Sequence, residues 1–187
     1  MSGEKHICPV NAVRSFDNFL RPLVHSPRKL FGPHVTPGMT AMDIGCGGGW
    51  ASLAMARLVG ESGLVIAADL QPEMLELVRK RAQKAGLIDR LKFHRCLDDR
   101  IGLDRELDFS VAFYMVHETP DARALVAEVF SLLKPGGRFF VAEPKFHVSQ
   151  PQFESVVREA QEDGFSVLSK PRVLLSRAVV LEKPAKV

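Results

Sequence analysis

The stretch AMDIGCGGGW, Ala41 to Trp50, constrains the fold more than any other part of the chain. An apolar run carrying one acid passes through Gly45, Gly47, Gly48 and Gly49, then meets a tryptophan that begins a second apolar run. Glycine in such density weakens regular structure, but it lets a backbone take left-handed turns or lie close to a ligand. A tight turn alone needs only one or two such positions. The segment therefore reads as a strand-to-helix loop that a ligand approaches, with unpaired N–H groups and a partial positive charge at the helix start behind it. VIAADL, Val65 to Leu70, follows and ends in a second acid, Asp69.

The hydrophobic pattern around these stretches predicts strands alternating with helices. Strands are expected at Thr40–Ile44, Leu64–Leu70, Leu91–Cys96, Leu107–Met115 and Arg138–Glu143, with two more near Phe165–Ser169 and Ala178–Glu182. Helices are expected at Trp50–Val59, from Pro72 to a stop at Gly86, at Asp121–Leu133 and after a capping Ser149, with a short one at Asp17–Val24. On the Pro72 helix Met74, Leu77, Val78, Ala82 and Ala85 share one face. Strands joined through helices need crossover connections, which implies a mostly parallel sheet covered on both faces, an α/β doubly wound fold. Such sheets bind ligands beyond the carboxyl ends of their strands, where the strand order reverses. The glycine loop lies at such an end.

Composition narrows the classes. With 187 residues, 46% hydrophobic and 25% charged, the chain can bury a sizeable core as one soluble domain. No apolar run approaches the ~20 residues that span a bilayer, and MSGEKHICPVN carries no apolar stretch of the secretory kind, so a cytoplasmic location without a membrane partner is expected. Three scattered cysteines, Cys8, Cys46 and Cys96, read as reduced thiols. The net charge of +3 is mild, and Arg79-Lys80-Arg81 with Lys84 fall on an amphipathic helix as a solvated face, which argues against a nucleic-acid partner. Oligomeric state is not legible.

Two cofactor classes compete for the loop. A dinucleotide site wants G-x-G-x-x-G, and counting from Gly45 its third glycine falls on Trp50, too large for close helix–strand packing. No Gly-Lys-Ser/Thr of the phosphate-binding loop follows either. Asp43, two residues before the first glycine, would repel a pyrophosphate and suits a phosphate-free cofactor with a charged amino-acid end.

Asp43-Ile-Gly45-Cys-Gly47-Gly-Gly49 resembles the first motif of class I S-adenosylmethionine-dependent methyltransferases. VIAADL with Asp69 resembles their second motif, LDFSVAFYMVHETPD the segment that closes their pocket, and LKPGGRFFVAEP the approach to their fifth strand. The likeness runs from about Val35 to the C-terminus in the family's order. It implies a Rossmann-like, doubly wound seven-stranded sheet, mostly parallel with the last strand antiparallel and helices on both faces. It divides the chain into an N-terminal lid or helical extension, 1–34, and an S-adenosylmethionine-binding methyltransferase domain, 35–187. It also implies S-adenosyl-L-methionine as cofactor and S-adenosyl-L-homocysteine as product.

Carried over residue by residue, the resemblance sets Asp43 toward the methionyl amino group and places Gly45, Cys46, Gly47 and Gly49 around the methionine end. Asp69 accepts both ribose hydroxyls, for which a carboxylate is well shaped; a mere cap for the Pro72 helix is the plainer reading, and both roles can coexist. Leu70 packs on adenine and Phe113 lines the pocket. The family's acid for the adenine amino group falls here on Leu97, so that either Asp98 or a backbone carbonyl holds adenine.

The acceptor side is less constrained. The family's reaction needs alignment above all, and a base only where the acceptor loses a proton. Polar residues gather after the fourth strand, Tyr114, His117 and Glu118, and after the fifth, Glu143, Lys145 and His147. His117, titrating near neutrality, is the expected base, with Glu118 the second catalytic candidate; a merely polar loop is the plainer alternative. Ala112-Phe113-Tyr114-Met115 offers none of the Asn/Asp-Pro-Pro-aromatic pattern of DNA amino-methylating enzymes, which points to a small or medium-sized acceptor. Three rival readings stand beside this one. They are a non-catalytic S-adenosylmethionine-binding subunit of a partner, a metalloid or thiol methyltransferase using His6, Cys8, Cys46, Cys96, His117 and His147, and a nicotinamide oxidoreductase, which Trp50 disfavours. The cysteine and histidine spacings match no zinc pattern, and no metal is expected.

Overall fold

Successive residues of a strand point to opposite faces of its sheet, and the central strands here are apolar on both. Ala41, Val65, Ala67, Phe109, Val111 and Phe140 go to one face, Met42, Ile44, Ile66, Ala68, Phe139 and Val141 to the other. The computed structural model describes residues 26–185; the helix expected at Asp17–Val24 lies outside them. Within that range the strands are β1 (Thr40–Ile44), β2 (Leu64–Asp69), β3 (Leu91–Arg95), β4 (Leu107–Phe113), β5 (Leu133–Pro144), β6 (Ser166–Ser169) and β7 (Ser176–Glu182). The helices are α1 (Pro27–Phe31), α2 (Trp50–Leu58), α3 (Pro72–Lys84), α4 (Ala122–Leu132) and α5 (Gln150–Glu162). The strands form one seven-stranded sheet in the order β3-β2-β1-β4-β5-β7-β6. β1 to β5 are parallel neighbours, whereas β7 runs antiparallel to both β5 and β6. This is the expected doubly wound sheet with its antiparallel last strand.

One core cluster holds residues of α1, α2 and α3; the opposite cluster holds residues of α4 and α5. The strand order reverses between β1 and β4, which pair directly with Ile44 opposite Ala112. Their carboxyl ends therefore open side by side at the switch point, where the loops after β1, β2, β4 and β5 meet.

Several elements differ in detail from the sequence expectation. α3 buries Met74, Leu75, Val78 and Ala82, and Ala85 stands exposed as its C-cap, where the apolar stripe has run past the helix end. β5 begins at Leu133, directly after α4, with Leu133 opposite Leu107 before the register shifts to Arg138 opposite Phe109. The intervening glycines are held from outside: Gly136 N–H donates to Lys183 O at 2.7 Å and Lys183 N–H to Gly137 O at 2.9 Å. α1, absent from the expectation, buries Phe31 completely against Trp50, Phe109 and Phe140, at ring centroid distances of 5.6, 6.3 and 5.6 Å. Ser149 caps α5 as expected, exchanging hydrogen bonds with Gln152 in a capping box.

Candidate active site

Gly45, Gly47 and Gly49 all have left-handed backbones, with φ of 63°, 47° and 82°. A Cβ on Gly45 would lie 2.9 Å from Met115 Cβ, and one on Gly49 would lie 2.8 Å from Val78 Cγ1. The two glycines therefore admit different neighbours: Gly45 lets the loop after β4 come close, and Gly49 lets α2 start against α3. With no side chain at its N-cap, α2 is capped from the sheet. The buried Asp43 carboxylate accepts from Ser52 N–H at 2.8 Å and Ser52 Oγ at 2.5 Å, satisfying an otherwise orphaned donor of the first turn.

Asp69 ties two loops together. One of its oxygens accepts Gly47 N–H at 2.9 Å and the other Gln71 N–H at 3.0 Å. The N-cap of α3 is Gln71, so Asp69 braces that turn from just outside. Burial pushes the Asp69 carboxyl above its ordinary value, opposed by these two N–H groups. Trp50 explains its place after the glycines: it packs edge-on to Phe31 and lies 5.0 Å from the Phe113 ring, forming one wall of the same space.

That space is a cavity of about 430 Å³, a volume suited to one small ligand. It brings together eleven of the expected cofactor and catalytic residues in one wall or another: Asp43, Gly45, Cys46, Gly47, Asp69, Leu70, Leu97, Asp98 and Phe113, with His117 and Glu118. Gly49 is not part of the lining and faces Val78 instead. Leu97 and Asp98 belong to the loop between β3 and β4. Its end is anchored by Glu128 of α4, whose two carboxylate oxygens accept Ile101 and Gly102 N–H at 2.8 Å each.

At the other end, β4 leads into Tyr114, whose φ of 67° is left-handed without being glycine. Such strain persists only where the surroundings over-determine it. Here Tyr114 N–H donates to Ala142 O at 2.8 Å, its ring lies 4.5 Å from Phe113, and its hydroxyl is hydrogen-bonded to Ser176 Oγ. A single 3-10 turn, Val116–Glu118, then presents His117 to the cavity. Its Nδ1 is bonded to a carboxylate oxygen of Glu143, which is buried at the end of β5; the other Glu143 oxygen accepts Val116 N–H at 2.9 Å. The Glu143 bond holds His117 above its ordinary value against the opposing effect of burial, with the charges of Glu143 and Glu118 adding to it. The His147 ring lies 5.6 Å from His117 and within 10° of parallel, and Phe146 lies 5.0 Å from His147.

The cysteine and histidine cluster finds no support among the described residues. No group of three or more His, Cys, Asp or Glu there is placed to hold a metal ion; His6 and Cys8 lie outside them. Burial pushes the Cys46 thiol well above its ordinary value and the Cys96 thiol up to about 12, so both stay protonated at neutral pH and are poor ligands for soft metals.

The family of methyltransferase domains matches residues 35–172. The chain belongs to the class I S-adenosylmethionine-dependent methyltransferases. It is 32% identical over 141 residues to the ubiquinone/menaquinone biosynthesis C-methyltransferase UbiE of Erwinia tasmaniensis, covering 74% of this chain and 53% of that protein. To the same-named protein of Cronobacter sakazakii it is 29% identical over 140 residues, with the same shares covered. The chain thus spans about half the length of these curated relatives. A crystal structure of an S-adenosylmethionine-dependent methyltransferase from Aquifex aeolicus superimposes with a TM-score of 0.84 at 22% identity, covering 95% of this chain and all of that one, which shows a shared fold.

S-adenosylmethionine, the family's cofactor, fits the residues present. Among the described residues lining the cavity are Asp43, Asp69, Asp98 and Asp99, against one guanidinium, Arg100. A set so acidic suits a ligand with sulfonium and ammonium groups and would repel a pyrophosphate. The positive-φ glycine loop and the Asp69 carboxylate at the end of β2 both open onto this cavity.

Proposed function

We propose that this protein transfers a methyl group from S-adenosylmethionine to a small or medium-sized acceptor, with His117 taking a proton from that acceptor. The observation that carries this reading is a single cavity lined both by the glycine loop with Asp69 and by His117 on its Glu143 support. Asp43, Gly45, Cys46 and Gly47 would hold the methionine end, Asp69 the ribose, and Leu70, Leu97 and Asp98 the adenine. When bound, the cofactor supplies an activated methyl carbon together with its own leaving group. The protein's own work is to exclude water and to align the acceptor, Trp50, Phe113 and Met115 furnishing apolar walls. His117 lines the cavity among residues of the β4 and β5 exits, bonded to Glu143 and stacked beside His147.

The relatives named as ubiquinone/menaquinone biosynthesis C-methyltransferases make quinone precursors one acceptor class worth testing. The decisive experiment incubates the protein with methyl-labelled S-adenosylmethionine and a panel of phenols, quinols, thiols and carboxylates, alongside cell extract, and identifies labelled products by mass. A labelled product that His117→Ala fails to form supports the reading. Tight cofactor binding with no labelled product from the panel or extract overturns it in favour of a non-catalytic subunit.

A further inference from the structure

Glu143 is a buried carboxylate at a sheet end with one cationic partner among the described residues. It sits opposite Arg177 in the β5–β7 register. The Arg177 guanidinium, however, is spent on Gln150 Oε1 at 2.9 Å, Lys145 O at 3.2 Å and Val148 O at 2.7 Å. The ion partner of Glu143 among the described residues is His117. A buried carboxylate is costly unless hydrogen-bonded and paired, and Glu143 meets that cost with two bonds, one to a backbone N–H and one to an imidazole nitrogen. Both its oxygens are acceptors, so the imidazole nitrogen facing it must carry a hydrogen.

We propose that Glu143 is the positioning residue of the acceptor side: it holds His117 in the tautomer with its hydrogen on Nδ1, leaving Nε2 toward the cavity as the atom that accepts a proton. This rests on the functional reading above, and it narrows the acceptor to compounds that surrender a proton when methylated, such as a weakly acidic hydroxyl. The acceptor O–H bond breaks, its electron pair stays on oxygen, and the proton forms an N–H bond at Nε2. The resulting imidazolium is stabilised by the Glu143 carboxylate bonded to its other nitrogen. The charged and titratable groups around His117 are Glu143 from β5, Glu118 on its own turn and the stacked His147 from the loop after β5. The carboxylates favour the imidazolium, the second imidazole opposes it when charged.

Glu143→Gln tests this sharply because Val116 N–H pins one end of the side chain. That N–H needs an acceptor, so the amide oxygen must take its place there, and the amide nitrogen must face His117. An amide nitrogen donates only, so the imidazole must turn acceptor at Nδ1 and carry its hydrogen on Nε2. Long-range proton–nitrogen NMR on the ring, taken above its titration midpoint, reads the tautomer directly without any acceptor. The expected result is hydrogen on Nδ1 in the wild type, hydrogen on Nε2 in Glu143→Gln, and return of the wild-type pattern in Glu143→Asp. The His117 midpoint should also fall by ~1 pH unit or more in Glu143→Gln, as a neighbouring negative charge is lost. Hydrogen on Nε2 in the wild type, a result that needs no variant to fold, overturns the proposal. So does Nδ1–H retained in Glu143→Gln. Calorimetry with S-adenosylmethionine and the labelled-transfer assay test the functional reading separately: absent transfer with the wild-type tautomer as expected would fault that reading and leave the geometry of the pair standing.

Discussion

Gly49→Ala separates a packing glycine from a ligand-facing one. Two costs act on the added methyl. A non-glycine residue at φ 82° occupies the left-handed region, at ~1–2 kcal/mol. The new Cβ would also lie 2.8 and 2.9 Å from the two methyls of Val78, a fully buried residue of α3. Overpacking of that kind costs ~1–3 kcal/mol. The sum, roughly 2–5 kcal/mol, corresponds to a fall in Tm of about 10 °C in a domain of this size. A double-mutant cycle with Val78→Ala isolates the contact. Val78→Ala alone should cost ~2 kcal/mol through lost burial, and the double variant should be more stable than the sum of the two by ~1–3 kcal/mol, since the clash is gone and the backbone cost remains. Urea denaturation measures each corner, and calorimetry measures S-adenosylmethionine affinity in the folded protein, expected within about threefold of wild type. Additive stabilities would show that Val78 is not what the methyl meets. A large loss of affinity with little loss of stability would return Gly49 to the cofactor-facing group and refute the reasoning.

Asp69→Ala should weaken S-adenosylmethionine binding by ~2–3 kcal/mol, the scale of hydrogen bonds to a charged group; calorimetry showing unchanged affinity in a folded variant would remove Asp69 from the ribose. His117→Ala should leave cofactor affinity within about threefold while lowering turnover ~10²-fold or more, and for a phenol or thiol the loss should shrink at high pH, where the acceptor ionises unaided. The raised value of His117 also has a stability consequence: its pairing with Glu143 stabilises the fold fully below the unfolded histidine value of about 6.5 and is lost as pH rises through the higher folded value. Denaturation of wild type against His117→Ala should therefore show the larger difference on the acid side. Cys46 and Cys96, both held protonated by burial, should react with iodoacetamide at pH near neutrality far more slowly than a free thiol, which mass spectrometry of timed samples measures.

The legible parts of the fold were those whose signal is local. β1 and β2 announce themselves as short apolar runs ended by acids, and Ser149 with Gln152 is a capping pattern readable without a partner. The early start of β5 was not, because Leu133 is a strand residue only by virtue of Leu107 beside it and Lys183 beyond the bulge. α1 is five residues long, too short to show a period, and exists to bury Phe31. In the site, glycine type and spacing made the cofactor half readable. The pairing of His117 with Glu143 required knowing that β4 and β5 are neighbours, with Phe113 opposite Ala142. Glu128 could not be singled out at all, since an acid on an amphipathic helix ordinarily reads as solvated surface.

The acids of this site share one physical habit that bears on how any of them can be tested. Asp43 accepts Ser52 N–H, Asp69 accepts Gly47 and Gln71 N–H, and Glu143 accepts Val116 N–H. Each carboxylate at a strand end thus satisfies a backbone donor of the turn or loop that forms the pocket wall, and each loop takes its shape from that bond. Removal of any one of them frees a buried N–H as well as a ligand contact, so loss of activity alone cannot assign a role. Amide substitution does not evade this. At Asp69 both oxygens face N–H groups, and an asparagine must turn its own donor against one of them; at Glu143 the same constraint flips a tautomer instead. The same swap that weakens a binding loop at one strand end reverses a proton acceptor at another, and the difference is set by whether the second oxygen faces a backbone N–H or an imidazole.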